Sequence, residues 1–224
     1  MTGCGLTVLA GNAFAGLSNL QYLTLDGNRL QLLSSAALAG MPSLQGLTFT
    51  IARSAIAQIN AIALPNLTTL GITAFNSSFT TGACFAGEPS AFSCRSTPKL
   101  STLSLFNNFC PDLLRRFYGG SCVKDLNIYQ NINEDVDYPP PMPICLNALG
   151  GLSSVSQLFL SVNRVVYLNA SGMRALRSFW IAGCDGCNAT VCDESLWSMG
   201  SLTTLKGNSA PKVRAVLNKL RKKR

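Results

Sequence analysis

The chain reads as an α/β solenoid, a parallel sheet of about eight short strands joined by irregular or short helical returns. Two observations predict it. Residues Leu20, Leu23, Leu25, Asn28 and Leu30 are spaced L-x-x-L-x-L-x-x-N-x-L, and the same opening begins again at Leu44. The opening then recurs in phase at Leu67, Leu100, Val123, Val155, Leu176 and Leu202. Alternate side chains of a strand face the same way, so Leu23 and Leu25 point into the stack while Tyr22, Thr24 and Asp26 point out. Asn28 falls where the chain leaves the strand, and its amide can bond backbone groups that the turn leaves unpaired. One such unit cannot bury its apolar face alone, so copies must stack.

The pairs Leu47/Phe49, Leu70/Ile72, Leu103/Leu105, Leu126/Ile128, Leu158/Leu160 and Phe179/Ile181 take the two inward positions of the later strands. The asparagine position is held by Asn108, Asn131 and Asn163, and by Cys184; it fails at Ala52, Phe75 and Ala210. At the start, Cys4 and Leu6 fit the N/C-x-L positions, while Phe14 and Leu17 anticipate Leu38 and Met41. The chain therefore reads as beginning partway through a repeat, a fragment whose first turn frays and exposes apolar surface. Two intervals are long, and both hold turn-rich insertions, near residues 76–98 and 133–146. The solenoid is assigned to residues 1–207 and a basic, helix-compatible segment to 208–224.

This recurrent motif resembles that of the leucine-rich-repeat family, over about residues 4 to 205. The resemblance implies a curved solenoid with a concave sheet, used for recognition rather than catalysis. It also implies that Cys4 and Cys184, at asparagine positions, are buried free thiols.

Composition fits one such domain. Of 224 residues, 47% are hydrophobic and only 12% charged, as expected when many positions are committed to repeat core. No apolar run reaches the length of a membrane span. The formal charge of +8 lies entirely in Lys206, Lys212, Arg214, Lys219, Arg221, Lys222, Lys223 and Arg224, so net charge gives no sign of a nucleic-acid surface on the body. The basic end suits a cap helix with a solvated tip, a contact with anionic membrane, a nuclear import pattern, or a protease-processing site at Arg221 to Arg224.

Catalytic chemistry is missing from the pattern. The chain has no histidine, which removes Ser-His and Cys-His pairs, and its carboxylates are scattered among loops. No phosphate-binding glycine motif appears. Neither an enzyme nor a cofactor is expected. The acidic run Glu134, Asp135 and Asp137 lacks the glycine and closing glutamate of a calcium loop. Cys184 and Cys187 resemble half a zinc site, but no second pair completes it, so no metal is assigned.

Nine cysteines and four N-x-S/T sequons, at Asn66, Asn76, Asn169 and Asn188, point to a secreted origin. Cys84 and Cys94 share one insertion, and Cys187 and Cys192 share a short loop, so each pair is a disulfide candidate. Cys110, Cys122 and Cys145 lie in or beside neighbouring repeats.

The outward strand positions change along the chain. Early ones hold Thr24, Asp26, Thr48, Thr50, Gly71 and Thr73, whereas later ones hold Phe106, Tyr129, Phe159 and Trp180. Adjacent exposed aromatics have the composition of a binding hot spot. The expected function is recognition of a protein or peptide, with a glycan as a further option, within a secreted protein or receptor ectodomain at the cell surface. The alternatives are an intracellular adaptor with a basic targeting tail and a matrix or surface-coat protein that binds glycans or its own copies.

Overall fold

The computed structural model describes residues 1–52, 64–75, 94–106, 122–130, 153–162, 167–168, 173–182, 190–191 and 203–207. Eight strands form one parallel sheet: β1 (Tyr22–Leu30), β2 (Gly46–Ala52), β3 (Thr69–Phe75), β4 (Thr102–Phe106), β5 (Asp125–Gln130), β6 (Gln157–Val162), β8 (Ser178–Ala182) and β10 (Thr204–Gly207), in chain order across the sheet. Between them, β7 (Tyr167–Leu168) and β9 (Thr190–Val191) pair in parallel as a second, two-stranded sheet. Consecutive turns therefore lie side by side, the order that stacked repeats require. Among the described residues the returns are turns and extended segments, with no helix.

The core is built from the expected rows. Leu23, Leu47, Leu70, Leu103, Leu126, Leu158 and Phe179 stand opposite one another in register, and all are buried. A second row, Leu25, Phe49, Ile72, Leu105, Ile128 and Leu160, lies two residues further along and is buried as well. Each such side chain contributes about 1.5–3 kcal/mol relative to an exposed one.

Tight turns set several of the opening residues. The amides of Leu44, Leu67, Leu100 and Leu176 donate to the carbonyls of Met41, Leu64, Thr97 and Met173. Pro42, Pro65 and Pro98 stand second in three of these turns, where the fixed φ of proline is pre-set for the turn. Met41, Leu64 and Met173 are buried beneath the turns, and in the fourth the buried residue is the polar Thr97.

Asn28 plays the part assigned to it. Its Nδ2 donates to the carbonyls of Met1 and Leu25, both at 2.8 Å, and its Oδ1 accepts from the amides of Cys4 (3.0 Å) and Leu6 (3.1 Å). Where the asparagine fails, main chain takes over. Strands β2 and β3 stay paired as far as Ala52 and Phe75, whereas β1 and β2 lose regular register between Leu25 and Leu30. Within that irregularity Gly27 has φ near +70°, and its amide donates to Thr50 Oγ1 at 2.8 Å. Thr50 keeps its outward strand position between the inward Phe49 and Ile51 but is covered there and buried.

A second ladder runs beside the strand entrances. The hydroxyls of Thr68, Ser101, Ser156 and Thr203 donate to the carbonyls of Gln45, Thr68, Lys124 and Arg177, each one turn back. The same carbonyls accept two amides each from the following turn; Gln45, for example, receives those of Thr68 and Thr69. Each of these carbonyls therefore takes three donors, two amides and a hydroxyl, which ties the turn to its neighbour at the strand entrance.

In the first turn Phe14 is buried, but Leu17 is 46% and Val8 60% exposed, and Leu6 and Leu9 are half-buried. Cys4 is a free thiol but exposed, not buried as the resemblance implied. It lies on the outer side of the first turn, where its amide, rather than its sulfur, meets Asn28.

Candidate functional site

The outward face of the sheet carries the candidate site. Strand alternation leaves Phe106 at the end of β4, Tyr129 near the end of β5, Phe159 in β6 and Trp180 in β8 on the side opposite the core rows. Phe106 stands directly opposite Tyr129, and Phe159 directly opposite Trp180. Tyr129 and Phe159 are offset diagonally, since Tyr129 is opposite Ser161 and Phe159 opposite Asn127. The offset does not break the row. Phe106 and Tyr129 stack with centroids 4.6 Å apart and planes 6° from parallel; Tyr129 and Phe159 are 5.2 Å apart and tilted by 39°; Phe159 and Trp180 are 5.2 Å apart and nearly edge-to-face at 72°. Each pair adds about 0.5–1.5 kcal/mol beyond burial. Phe106, Tyr129 and Phe159 are half-buried, and Trp180 is 45% exposed.

Geometry also fixes how the rings meet solvent. Phe106 and Tyr129 give their faces to each other, so what they present outward is their edges. The edge of an aromatic ring is the positive part of its quadrupole. Beside the rings lie small polar groups, among them Asn127, whose Nδ2 donates to Ser104 Oγ at 3.3 Å.

The other half of the face is different. Thr48 Oγ1 donates to Asp26 Oδ2 at 2.7 Å, and the Thr48 methyl packs over Gly71, where a Cβ would come within 3.0 Å of it. Tyr22, which strand alternation places outward, is 68% exposed, with its ring lying over Gly46, where a Cβ would come within 2.7 Å of it.

Five basic residues were passed over because the charges of the body cancel in sum. Arg95, Lys99, Lys124, Arg174 and Arg177 are all exposed, and each comes just before β4, β5 or β8. Lys99 Nζ reaches Asn66 Oδ1 at 2.7 Å, while Asn66 Nδ2 donates to the carbonyl of Pro42 at 2.9 Å. Of the sequons, only Asn66 is among the described residues, and its amide bridges neighbouring turns on both sides. Asn76, Asn169 and Asn188 lie outside them.

The cysteine pairing differs from expectation. Cys94 is bonded to Cys122, with Cα atoms 5.1 Å apart, rather than to Cys84. Cys94 precedes the entrance to β4 and Cys122 the entrance to β5, and stacking puts these adjacent turns in contact. Sharing an insertion proved a weaker guide than lying at neighbouring entrances. Cys84, Cys187 and Cys192, the insertion at 133–146 and the segment 208–224 lie outside the described residues.

A single parallel sheet, wound in sequence order over a leucine core, defines a solenoid of the stacked-repeat class. The Leucine rich repeat family model matches residues 2–50, and the sheet carries the register of that stretch through the strands beyond it. The matched stretch and the sheet that continues its register support a leucine-rich-repeat solenoid. Neither curated proteins nor solved structures yield a match. Domains of this family are, in general, non-enzymatic modules for protein recognition.

Proposed function

We propose that this chain is a protein- or peptide-recognition module of an extracellular or cell-surface protein, and that its partner docks across Phe106, Tyr129, Phe159 and Trp180. The observation that carries the reading is the unbroken ring-to-ring contact across four adjacent strands on the face away from the core. Strands lie about 4.8 Å apart, so the stripe is about 15 Å long. That length suits the centre of an interface, where a few aromatic anchors supply most of the binding energy. The Cys94–Cys122 bond supports an oxidising compartment, because cytosolic thiols are kept reduced.

The test is a set of four alanine variants. On this reading each keeps the fold, with a small loss of thermal stability, and each fails to compete with the parent chain for peptides selected on it from a random library. Large losses of melting temperature in all four would make the rings structural and remove the site.

A further inference from the structure

We infer that the docking segment is an acidic peptide, with its carboxylates on the N-terminal edge of β4 to β8 and its apolar anchors against the ring edges. The inference rests on the docking role proposed for the aromatic stripe and adds the chemistry of what docks there.

Two features coincide on the same strands. The contiguous aromatic row runs from β4 to β8, and the exposed cations Arg95, Lys99, Lys124, Arg174 and Arg177 precede β4, β5 and β8. From residue 1 to β3 the described charged side chains are Asp26 and Arg29, one of each sign, and the exposed ring described there is Tyr22 on β1. Among the described residues of the second half, the one carboxylate is Asp125, half-buried and next to Lys124. The edge is therefore positive where the rings are, and the ring edges add the positive part of their quadrupoles. Both favour a partner rich in carboxylate, through charge complementarity that steers association and sets register.

Dimensions narrow the choice. Lys124 precedes Tyr129 on one strand, a distance of about 16 Å at 3.3 Å per residue, and Arg177 precedes Trp180 by about 10 Å. An extended peptide covers those lengths in about three to five residues. Its acidic side chains should thus fall three to five positions from an aromatic or large aliphatic anchor. A sulfated glycan shares the negative charge, but sugars pack on the faces of aromatic rings. Here Phe106 and Tyr129 each have one face closed against the other, which leaves less ring face for a sugar, so the stripe suits side chains better.

The experiment pans a displayed library of random dodecapeptides on the full chain, with the Cys94–Cys122 bond formed. Selected peptides are then measured against the parent, Trp180→Ala and the double variant Lys124→Glu/Arg177→Glu, all checked for folding by circular dichroism. The expected result is enrichment of peptides with acidic residues at the stated spacing. Their binding should weaken about tenfold or more in the charge-reversed variant, since each reversal replaces attraction with repulsion, and should fall with rising salt. Binding should also be lost in Trp180→Ala. Neutral or basic peptides that still require Trp180 would overturn the acidic inference and leave the docking face standing. Peptides indifferent to Trp180, or no enrichment at all, would overturn both. Heparin-type oligosaccharide held through Lys124 and Arg177 regardless of Trp180, without acidic peptides being enriched, would replace the peptide with a glycan.

Discussion

Phe179 and Trp180 are neighbours in β8 that face opposite ways, and replacing each by alanine separates core from surface within one strand. Phe179 is 2% exposed, in the row that includes Leu158. Its loss removes a buried ring and leaves a cavity that close packing fills poorly, at a cost of about 3–5 kcal/mol. Trp180 is 45% exposed and edge-on to Phe159. Its loss forfeits one aromatic pair and one cross-strand contact and opens no cavity, which sums to about 1–2 kcal/mol. For a chain of this size 1 kcal/mol moves the melting temperature by about 2–4 °C. Phe179→Ala should therefore fall by about 6–20 °C and Trp180→Ala by less than about 8 °C, in thermal scans followed by far-ultraviolet circular dichroism. Equal losses, or a larger one for Trp180, would refute the assignment of faces and the docking site with it.

Reduction of Cys94–Cys122, or its replacement by serines, should lower stability by about 3–4 kcal/mol, from the entropy of closing a loop of separation 28; denaturant titration measures it. Non-reduced peptide mapping after secretory expression should find the two cysteines linked, and free thiols at both positions would contradict the pairing. Asn28→Ala should cost about 2–3 kcal/mol, because the buried Leu25 carbonyl and three part-buried backbone groups lose their bonds, and hydrogen exchange should then speed up at the amides of Cys4 and Leu6. Gly46→Ala should be tolerated within about 1 kcal/mol, since the atoms in its way belong to the exposed ring of Tyr22; a larger drop in denaturant midpoint would show that ring to be fixed.

The strand register was legible because leucine spacing is a direct imprint of which side chains must be inside. The same alternation puts Phe106, Tyr129, Phe159 and Trp180 on the outer face. What it could not convey was that the diagonal step from Tyr129 to Phe159 still brings the rings within 5.2 Å, because that depends on side-chain lean rather than on sequence position. The cysteine pairing was hidden for a related reason: contact between the entrances of β4 and β5 comes from stacking, while proximity in sequence favoured Cys84. The hydroxyl ladder was overlooked because serine and threonine before a strand look like ordinary turn residues. Their alignment becomes visible only once Thr68, Ser101, Ser156 and Thr203 are set one turn apart. The cations were missed by summing charge over the body, when what mattered was which end of each strand they precede.

The bond between Cys94 and Cys122 has a mechanical consequence. In a stack where each turn touches chiefly its neighbours, unravelling starts at an end and advances turn by turn. A covalent tie between the turns that carry β4 and β5 halts that advance midway, like a stitch in a hem. Tension entering from either end would strip turns only as far as the tie. The tie lies between the turns that carry Phe106 and Tyr129, so the aromatic row begins at the point the chain is least able to let go.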